Sequence, residues 1–181
     1  MTRRGFVLAC VLSVGLGSSP LAKDDNSLKF DGGIGVIPVS NVTANADGSV
    51  TVSRNIVRTV NPAGQIWVIA ALEADVSGDQ IRVRGRGLLL GGGNNIGTNA
   101  GATVFATLAC GQAAPFTLHS TPSGSTPSGL NGAPLAANGD FEIDDVLSPA
   151  PPSDCANPVL LIRNSANGGW FAAGILDRDD D

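Results

Sequence analysis

The sequence predicts an all-β fold, and three observations indicate it. Short segments alternate between apolar and polar residues and are rich in β-branched side chains. Gly, Pro, Asn and Asp interrupt these segments roughly every ten residues. No amphipathic helical pattern follows the amino-terminal segment. A single two-sheet β-sandwich accommodates this pattern best, and a partly closed β-barrel is the alternative.

The alternating segments define ten predicted strands. These are Ile34–Val39, Val50–Val52, Asn55–Val60, Ile66–Asp75, Gln80–Leu90, Thr103–Leu108, Phe116–His119, Asp140–Ile143, Val159–Arg163 and Trp170–Leu176. The dipeptides Asp47-Gly48 and Asn138-Gly139 are typical of tight hairpin turns. Trp67 and Trp170 lie within apolar runs, so we expect both side chains in the core.

Residues 1–22 have the features of a secretory signal peptide. Arg3-Arg4 supplies the positive start, and Phe6–Gly17 is an uncharged run of 12 residues. We place cleavage after Ala22, where small residues gather. The apolar run is shorter than the ~18–20 residues that a membrane-spanning helix needs, so we expect no transmembrane anchor. A lipoprotein signal at Cys10 fits poorly, because cleavage there would leave much of the apolar run on the mature chain.

Cysteine usage agrees with export. Cleavage after Ala22 leaves Cys110 and Cys155, and a pair of cysteines in an oxidising compartment most simply forms one disulfide. We expect this disulfide to join two strand ends across the core, and two unpaired buried thiols are the alternative. The predicted location is therefore secreted or periplasmic.

The composition excludes several classes of partner and site. Acidic residues outnumber basic ones by 16 to 11, and cleavage after Ala22 leaves 9 basic residues and a net charge of −7. Nucleic-acid-binding proteins carry a basic patch, so we predict no nucleic-acid partner. Aromatic residues make up 4% of the chain, which is low for a surface that stacks sugars or bases. The chain has no Cys/His cluster, so we predict no metal and no cofactor.

Two predicted strands carry charges of opposite sign at the same spacing. The residues are Arg82, Arg84 and Arg86 on one strand and Asp140, Glu142 and Asp144 on the other. Alternate residues of a strand point to one face, so each set forms a stripe, here called the arginine stripe and the carboxylate stripe. Like charges repel within each stripe, and neighbouring strands would relieve this repulsion. We therefore expect Arg84 within salt-bridge distance of one of the three carboxylates. Separate anion-binding and cation-binding faces are the alternative.

Two other polar segments give little indication of chemistry. His119 is the only histidine and lies beside Ser120, but no Gly-x-Ser-x-Gly motif is present, so we expect a solvent-exposed loop histidine. The segment 177–181 has aspartates at alternate positions, a spacing that could chelate a cation, but we predict an exposed acidic tail. We predict no catalytic residues at either place.

One pentapeptide is repeated in tandem. Residues 120–124 and 125–129 both have the sequence STPSG. Two copies are too short for a repeat architecture, which must bury one unit against the next. We expect a mobile surface loop over 120–137, lengthened by duplication, within a single β domain that covers 23–176.

These observations favour an exported, non-catalytic β-sandwich that acts as a binding or envelope-associated module. Its partner would be a protein or a cell-envelope component, and the sequence indicates neither the ligand nor the oligomeric state. The alternative is a secreted hydrolase that uses the carboxylates of 140–145, with or without Ca²⁺. A third option is a surface-assembly subunit, which would need a long exposed edge strand.

Overall fold

The structure is a computed structural model that describes residues 27–122 and 132–178. The predicted signal peptide, the centre of the repeat loop and the last three residues lie outside the described residues. Every helix or strand in the described part of the chain is a β-strand, and there are thirteen. The all-β class is confirmed.

The strands are numbered in chain order. They are β1 (Leu28–Gly35), β2 (Val39–Ala44), β3 (Val50–Arg54), β4 (Trp67–Val68), β5 (Ala71–Ser77), β6 (Gln80–Arg86), β7 (Leu89–Leu90), β8 (Thr103–Cys110), β9 (Thr117–Ser120), β10 (Ala133–Pro134), β11 (Phe141–Val146), β12 (Val159–Asn164) and β13 (Trp170–Leu176). In the ranges 27–122 and 132–178, no helix is long and apolar enough to span a membrane.

Nine strands form one antiparallel sheet that curls into a nearly closed barrel. Its order is β10-β8-β12-β13-β1-β5-β6-β11, and β9 pairs with β8 beside β10. The two ends of the sheet come together, because a tight turn joins β10 to β11 and Ser120 forms a bridge with Ser148. Closure of this kind satisfies edge strands that an open sheet would leave unpaired. This architecture corresponds to the partly closed β-barrel, which was predicted as the alternative to a two-sheet β-sandwich.

The core fills the inside of the barrel. Residues of β5, β6 and β11 alternate between buried and exposed along most of their length, which follows the alternation in the sequence. Trp67 and Trp170 are both buried, as predicted. The rings of Trp67 and Phe171 stack with their centroids 4.0 Å apart. The remainder of the core consists mainly of Leu, Ile, Val and Ala.

The predicted disulfide between Cys110 and Cys155 is present, and the two Cα atoms are 5.0 Å apart. Cys110 is the last residue of β8, and Cys155 lies in the proline-rich connection that leads to β12. Because β8 and β12 are neighbours in the sheet, the disulfide links the end of one strand to the segment just before the adjacent strand. The expectation that it would cross the core was wrong.

The segment Asn55–Val60 is a turn, so its prediction as a strand was wrong. Arg58 and Thr59 have positive φ angles of 49° and 68°. The guanidinium of Arg58 donates to the carbonyl of Gly111 at 2.7 Å and thereby holds the turn against a distant loop. This long-range contact overrides the β-branched composition of the segment.

Two long predicted strands are each divided. Ile66–Asp75 breaks after Val68, and its two parts, β4 and β5, belong to different sheets. Gln80–Leu90 breaks at Gly87, whose φ of 65° is accessible to glycine at no steric cost. The chain there leaves the large sheet, and β7 then pairs with β4.

The predicted loop 120–137 extends too far at both ends. Ser120 ends β9, and the hydroxyl of the buried Thr121 accepts a hydrogen bond from the Ala106 amide at 3.1 Å. At the other end, Ala133–Pro134 forms β10 and Leu135 is buried. Both ends of the repeat region therefore belong to the barrel.

Candidate functional site

The two charge stripes lie side by side on the outside of the barrel. Strand β11 pairs with β6 so that Glu142 lies opposite Arg84 and Asp144 opposite Arg82. Arg84 Nε is 3.3 Å from Glu142 Oε1, and Arg82 Nε is 3.1 Å from Asp144 Oδ2. The ion pair expected for Arg84 is thus present.

The opposite charges extend onto two further strands. On the other side of β6, Glu73 lies opposite Arg84 and Asp75 lies opposite Arg82. Lys29 on β1 in turn lies opposite Asp75. Glu73 and Asp75 were not predicted as part of a stripe, although they have the same two-residue spacing. Each of these arginines therefore has an acidic residue on both neighbouring strands.

This charged face is open to solvent. Asp144 and Glu142 keep 59% and 66% of their side-chain area exposed, and each is in contact with an arginine. Asp140 departs from the stripe, because its Oδ1 accepts a hydrogen bond from the Gly87 amide and supports a turn. Arg86 lies opposite Ala71. The arrangement is suited to fixing the register of β6 and β11 rather than to acid–base chemistry.

We expect Arg84→Glu to lower the free energy of unfolding by about 0.5–1 kcal/mol, because Glu73 and Glu142 would then face a like charge. Adding Glu142→Arg restores the β6–β11 pair, so the double variant should recover part of this loss. Urea unfolding of the four proteins in the mutant cycle measures the coupling. Arg86→Glu is the matched control and should have a smaller effect. A coupling indistinguishable from zero would contradict this role.

His119 is buried, so the prediction of a solvent-exposed loop histidine was wrong. It lies in β9 opposite Leu108, which is also buried. Its Nδ1 is 2.8 Å from the carbonyl oxygen of Pro149, and its Nε2 is 3.1 Å from Thr117 Oγ1. Both ring nitrogens are engaged in hydrogen bonds. His119 thus connects β9 to the segment that follows β11.

Arg163 is a half-buried polar residue with a structural role. Its Nε donates to the carbonyl of Gly168 at 2.8 Å, and its guanidinium lies 4.9 Å from the centre of the Phe105 ring. Burial lowers the pKa of Arg163, which still remains a cation at neutral pH. Within the described ranges, no group of three or more His, Cys, Asp or Glu side chains is arranged to hold a metal ion.

The hairpin of β2 and β3, here called the arm, projects from the barrel. Every residue of both strands is exposed. Gly48 has a φ of 82° at the tip, as the predicted hairpin turn requires. Asp47 Oδ1 accepts hydrogen bonds from the amide and hydroxyl of Ser49 at 3.0 and 2.6 Å. These hydrogen bonds hold the pKa of Asp47 below its usual value.

The arm has one apolar and one polar face. Directly paired residues point to the same side of a sheet. The pairs on one side join Val42 to Val52 and Ala44 to Val50. The pairs on the other side join Asn41 to Ser53 and Thr43 to Thr51.

A bulge at Ser40 extends the apolar face to the base of the arm. The register shifts between Val39 and Asn41, so that Val39 lies opposite Arg54. Arg54 is on the same side of β3 as Val52, and the bulge therefore turns Val39 toward the apolar side. The hydroxyl of Ser40 donates to the carbonyl of Ser53 at 3.2 Å. We define the apolar arm face as Val39, Val42, Ala44, Val50 and Val52.

An apolar notch adjoins this face where the arm meets the barrel. It has a volume of about 370 Å³, and its walls include Ile37, Pro38, Val39 and Ile66. Among the large apolar residues of the face and the notch, Val39 is the least exposed at 39% and Val50 the most exposed at 62%. The face and the notch together form a continuous apolar surface.

A larger cavity of about 590 Å³ lies near the disulfide. The start of β1, the turn between β5 and β6, and the proline-rich connection line it. Asp154 is the one ionisable side chain among its described lining residues. A single carboxylate does not provide an acid–base pair. The apolar arm face is therefore the stronger candidate for a functional surface.

No protein-family model, curated protein or solved structure matches this chain.

Proposed function

We propose that this protein is exported and non-catalytic, and that it acts as a binding or envelope-associated module whose contact surface is the apolar arm face. One observation carries the proposal. The arm alternates between apolar and polar residues as a half-buried sheet does, yet its apolar side is exposed. The charge pattern agrees, since Asp47 is the only charged residue between Gly32 and Ser53.

An uncovered apolar face on a two-stranded hairpin is unfavourable in water. A hairpin of two strands is marginally stable unless its apolar face packs against something. Soluble monomers rarely expose continuous apolar patches, and such patches mark contact sites. Burying one valine side chain fully contributes about 1.5–3 kcal/mol. A partner that covers Val42 and Val52 would therefore stabilise the arm and gain affinity.

Residues 23–181 contain few further apolar side chains that could cover this face. The segments outside the described residues after Ala22 are 23–26, 123–131 and 179–181, and Leu130 is the one large apolar residue among them. A single leucine cannot pair with a face of several valines. This composition supports a partner that is another molecule.

Export is supported by two independent features. Residues 1–22 have the pattern of a signal peptide. The disulfide between Cys110 and Cys155 is of the kind that persists in oxidising compartments. The hydrolase alternative has less support, because Glu142 and Asp144 are exposed and paired with arginines.

Val52→Glu and Thr51→Glu test the proposal as a matched pair. The two residues are neighbours on β3, are both exposed and point to opposite faces of the arm. After expression of the full chain in its host, each cell fraction is assayed for the protein, and intact mass gives the amino terminus. We expect wild-type chains to begin near Lys23 and to remain with the washed envelope. The Thr51→Glu variant should be processed and retained like the wild type.

Val52→Glu should lower the amount of protein retained by the washed envelope about tenfold or more. The reason is that a charge cannot enter an apolar contact without losing its hydration. Equal retention of the two variants would contradict the role of the apolar face. A wild-type chain that keeps Met1 would contradict export.

A further inference from the structure

We infer that the apolar arm face binds a second copy of this chain, with the two arms stacked face to face and antiparallel about a two-fold axis. This inference rests on the proposed function, which identifies the contact surface. It adds the identity of the partner and the orientation in which the partner binds. Pairing through the arm would hold two copies on the envelope together, so loss of the pair would weaken the retention of each copy.

The charges of the arm favour this orientation. Asp47 at the tip and Arg54 at the base are the only charged residues from 39 to 54. Arg54 Nη2 donates to the carbonyl of Pro62 at 3.0 Å, which holds its guanidinium at the base. Antiparallel stacking brings the tip of each arm to the base of the other, so Asp47 faces Arg54 of the other copy twice. Parallel stacking would place like charges together.

The shape of the surface agrees with the charges. The apolar notch lies at the base, beside Val39 and Ile37. Val50 lies at the tip end of the apolar arm face and is the most exposed of the four valines in that face. In the antiparallel arrangement, Val50 of one copy reaches the notch of the other. A two-fold axis repeats this contact, as isologous interfaces do.

A second copy also fits the net charge of the chain. The mature chain carries 9 basic and 16 acidic residues, so two copies repel each other over most of their surfaces. The arm is the part where this repulsion is weakest. Its face is small compared with a standard interface of about 1,600 Å². We therefore expect a dimer that dissociates on dilution.

The first experiment measures the oligomeric state of purified residues 23–181 with the disulfide formed. Sedimentation velocity over about 1–500 µM should show a monomer that converts to a dimer, since a small interface gives a dissociation constant in this range. Thr51→Glu should dimerise like the wild type. Val52→Glu should raise the dissociation constant at least about tenfold.

The second experiment tests the antiparallel orientation by exchanging charges. Asp47→Lys alone places two cations together at each tip-to-base contact, and Arg54→Glu alone places two carboxylates together there. Each variant should therefore dimerise at least about fivefold more weakly than the wild type. In a mixed dimer of the two variants, the introduced lysine faces the introduced glutamate, and the remaining Asp47 faces the remaining Arg54. The mixture should recover affinity to within about twofold of the wild type.

Each contrary outcome has one meaning. A wild-type chain that stays monomeric at every concentration would overturn the inference. If Val52→Glu still released that chain from the envelope, the proposed function would stand with a different partner. A dimer that Val52→Glu leaves intact would show that another surface pairs. A mixture without recovery would overturn the antiparallel orientation.

Discussion

Replacing Cys110 and Cys155 together by alanine should lower the free energy of unfolding by about 4 kcal/mol. The disulfide closes a loop with a sequence separation of 45 residues. Removing the disulfide increases the conformational entropy of the unfolded chain, because the closed loop no longer restricts it. The folded barrel also loses the covalent link between β8 and the connection to β12.

Urea unfolding of the oxidised wild type and of the double alanine variant measures this difference. Reduced wild-type protein is the control and should unfold at nearly the same urea concentration as the variant. A difference below about 1 kcal/mol would mean that the bond adds little to the stability of the barrel.

Phe171→Ala should lower the free energy of unfolding by about 3–5 kcal/mol. Phe171 is one of the largest fully buried side chains, and its ring stacks on Trp67. Alanine would remove the ring and leave a cavity that the close-packed neighbours fill only in part. Trp67 loses its stacking partner at the same time, so tryptophan fluorescence of the folded state should change.

Ile96→Ala is the control for this substitution. Ile96 is 64% exposed, so its truncation should change the stability by less than about 0.5 kcal/mol. Urea unfolding compares the two variants with the wild type. Equal stability of Phe171→Ala and Ile96→Ala would contradict the placement of Phe171 in the core.

The sequence predicts the all-β class and much of the core because alternation is a local signal. In β6, for example, Ile81 and Val83 are buried and Arg82 and Arg84 exposed, as their spacing indicates. The distinction between sandwich and barrel is not local. It depends on the meeting of β10 with β11 and on the bridge between Ser120 and Ser148, and these contacts leave no periodic signal.

The turn Asp47-Gly48 and the strand Val50–Val52 of the arm were predicted, but β2 was missed because of its bulge. Ser40 interrupts the alternation between Val39 and Val42, so the segment looks irregular and polar in the sequence. Its apolar side emerges only when the register with β3 is known. The two-residue spacing of charges within the arginine stripe and within the carboxylate stripe is more regular. This spacing was sufficient to predict the contact between Arg84 and Glu142 on two distant strands.

Cysteine labelling at Val42 and Thr43 tests most directly whether the apolar arm face is covered by a partner. Cys110 and Cys155 are joined, so a cysteine introduced at either position is the only free thiol in residues 23–181. The maleimide reaction rate is compared between dilute purified protein and protein held in the washed envelope. We expect labelling at position 42 to be at least about tenfold slower in the envelope and labelling at position 43 to be nearly unchanged. Equal and rapid labelling at both positions in the envelope would contradict it.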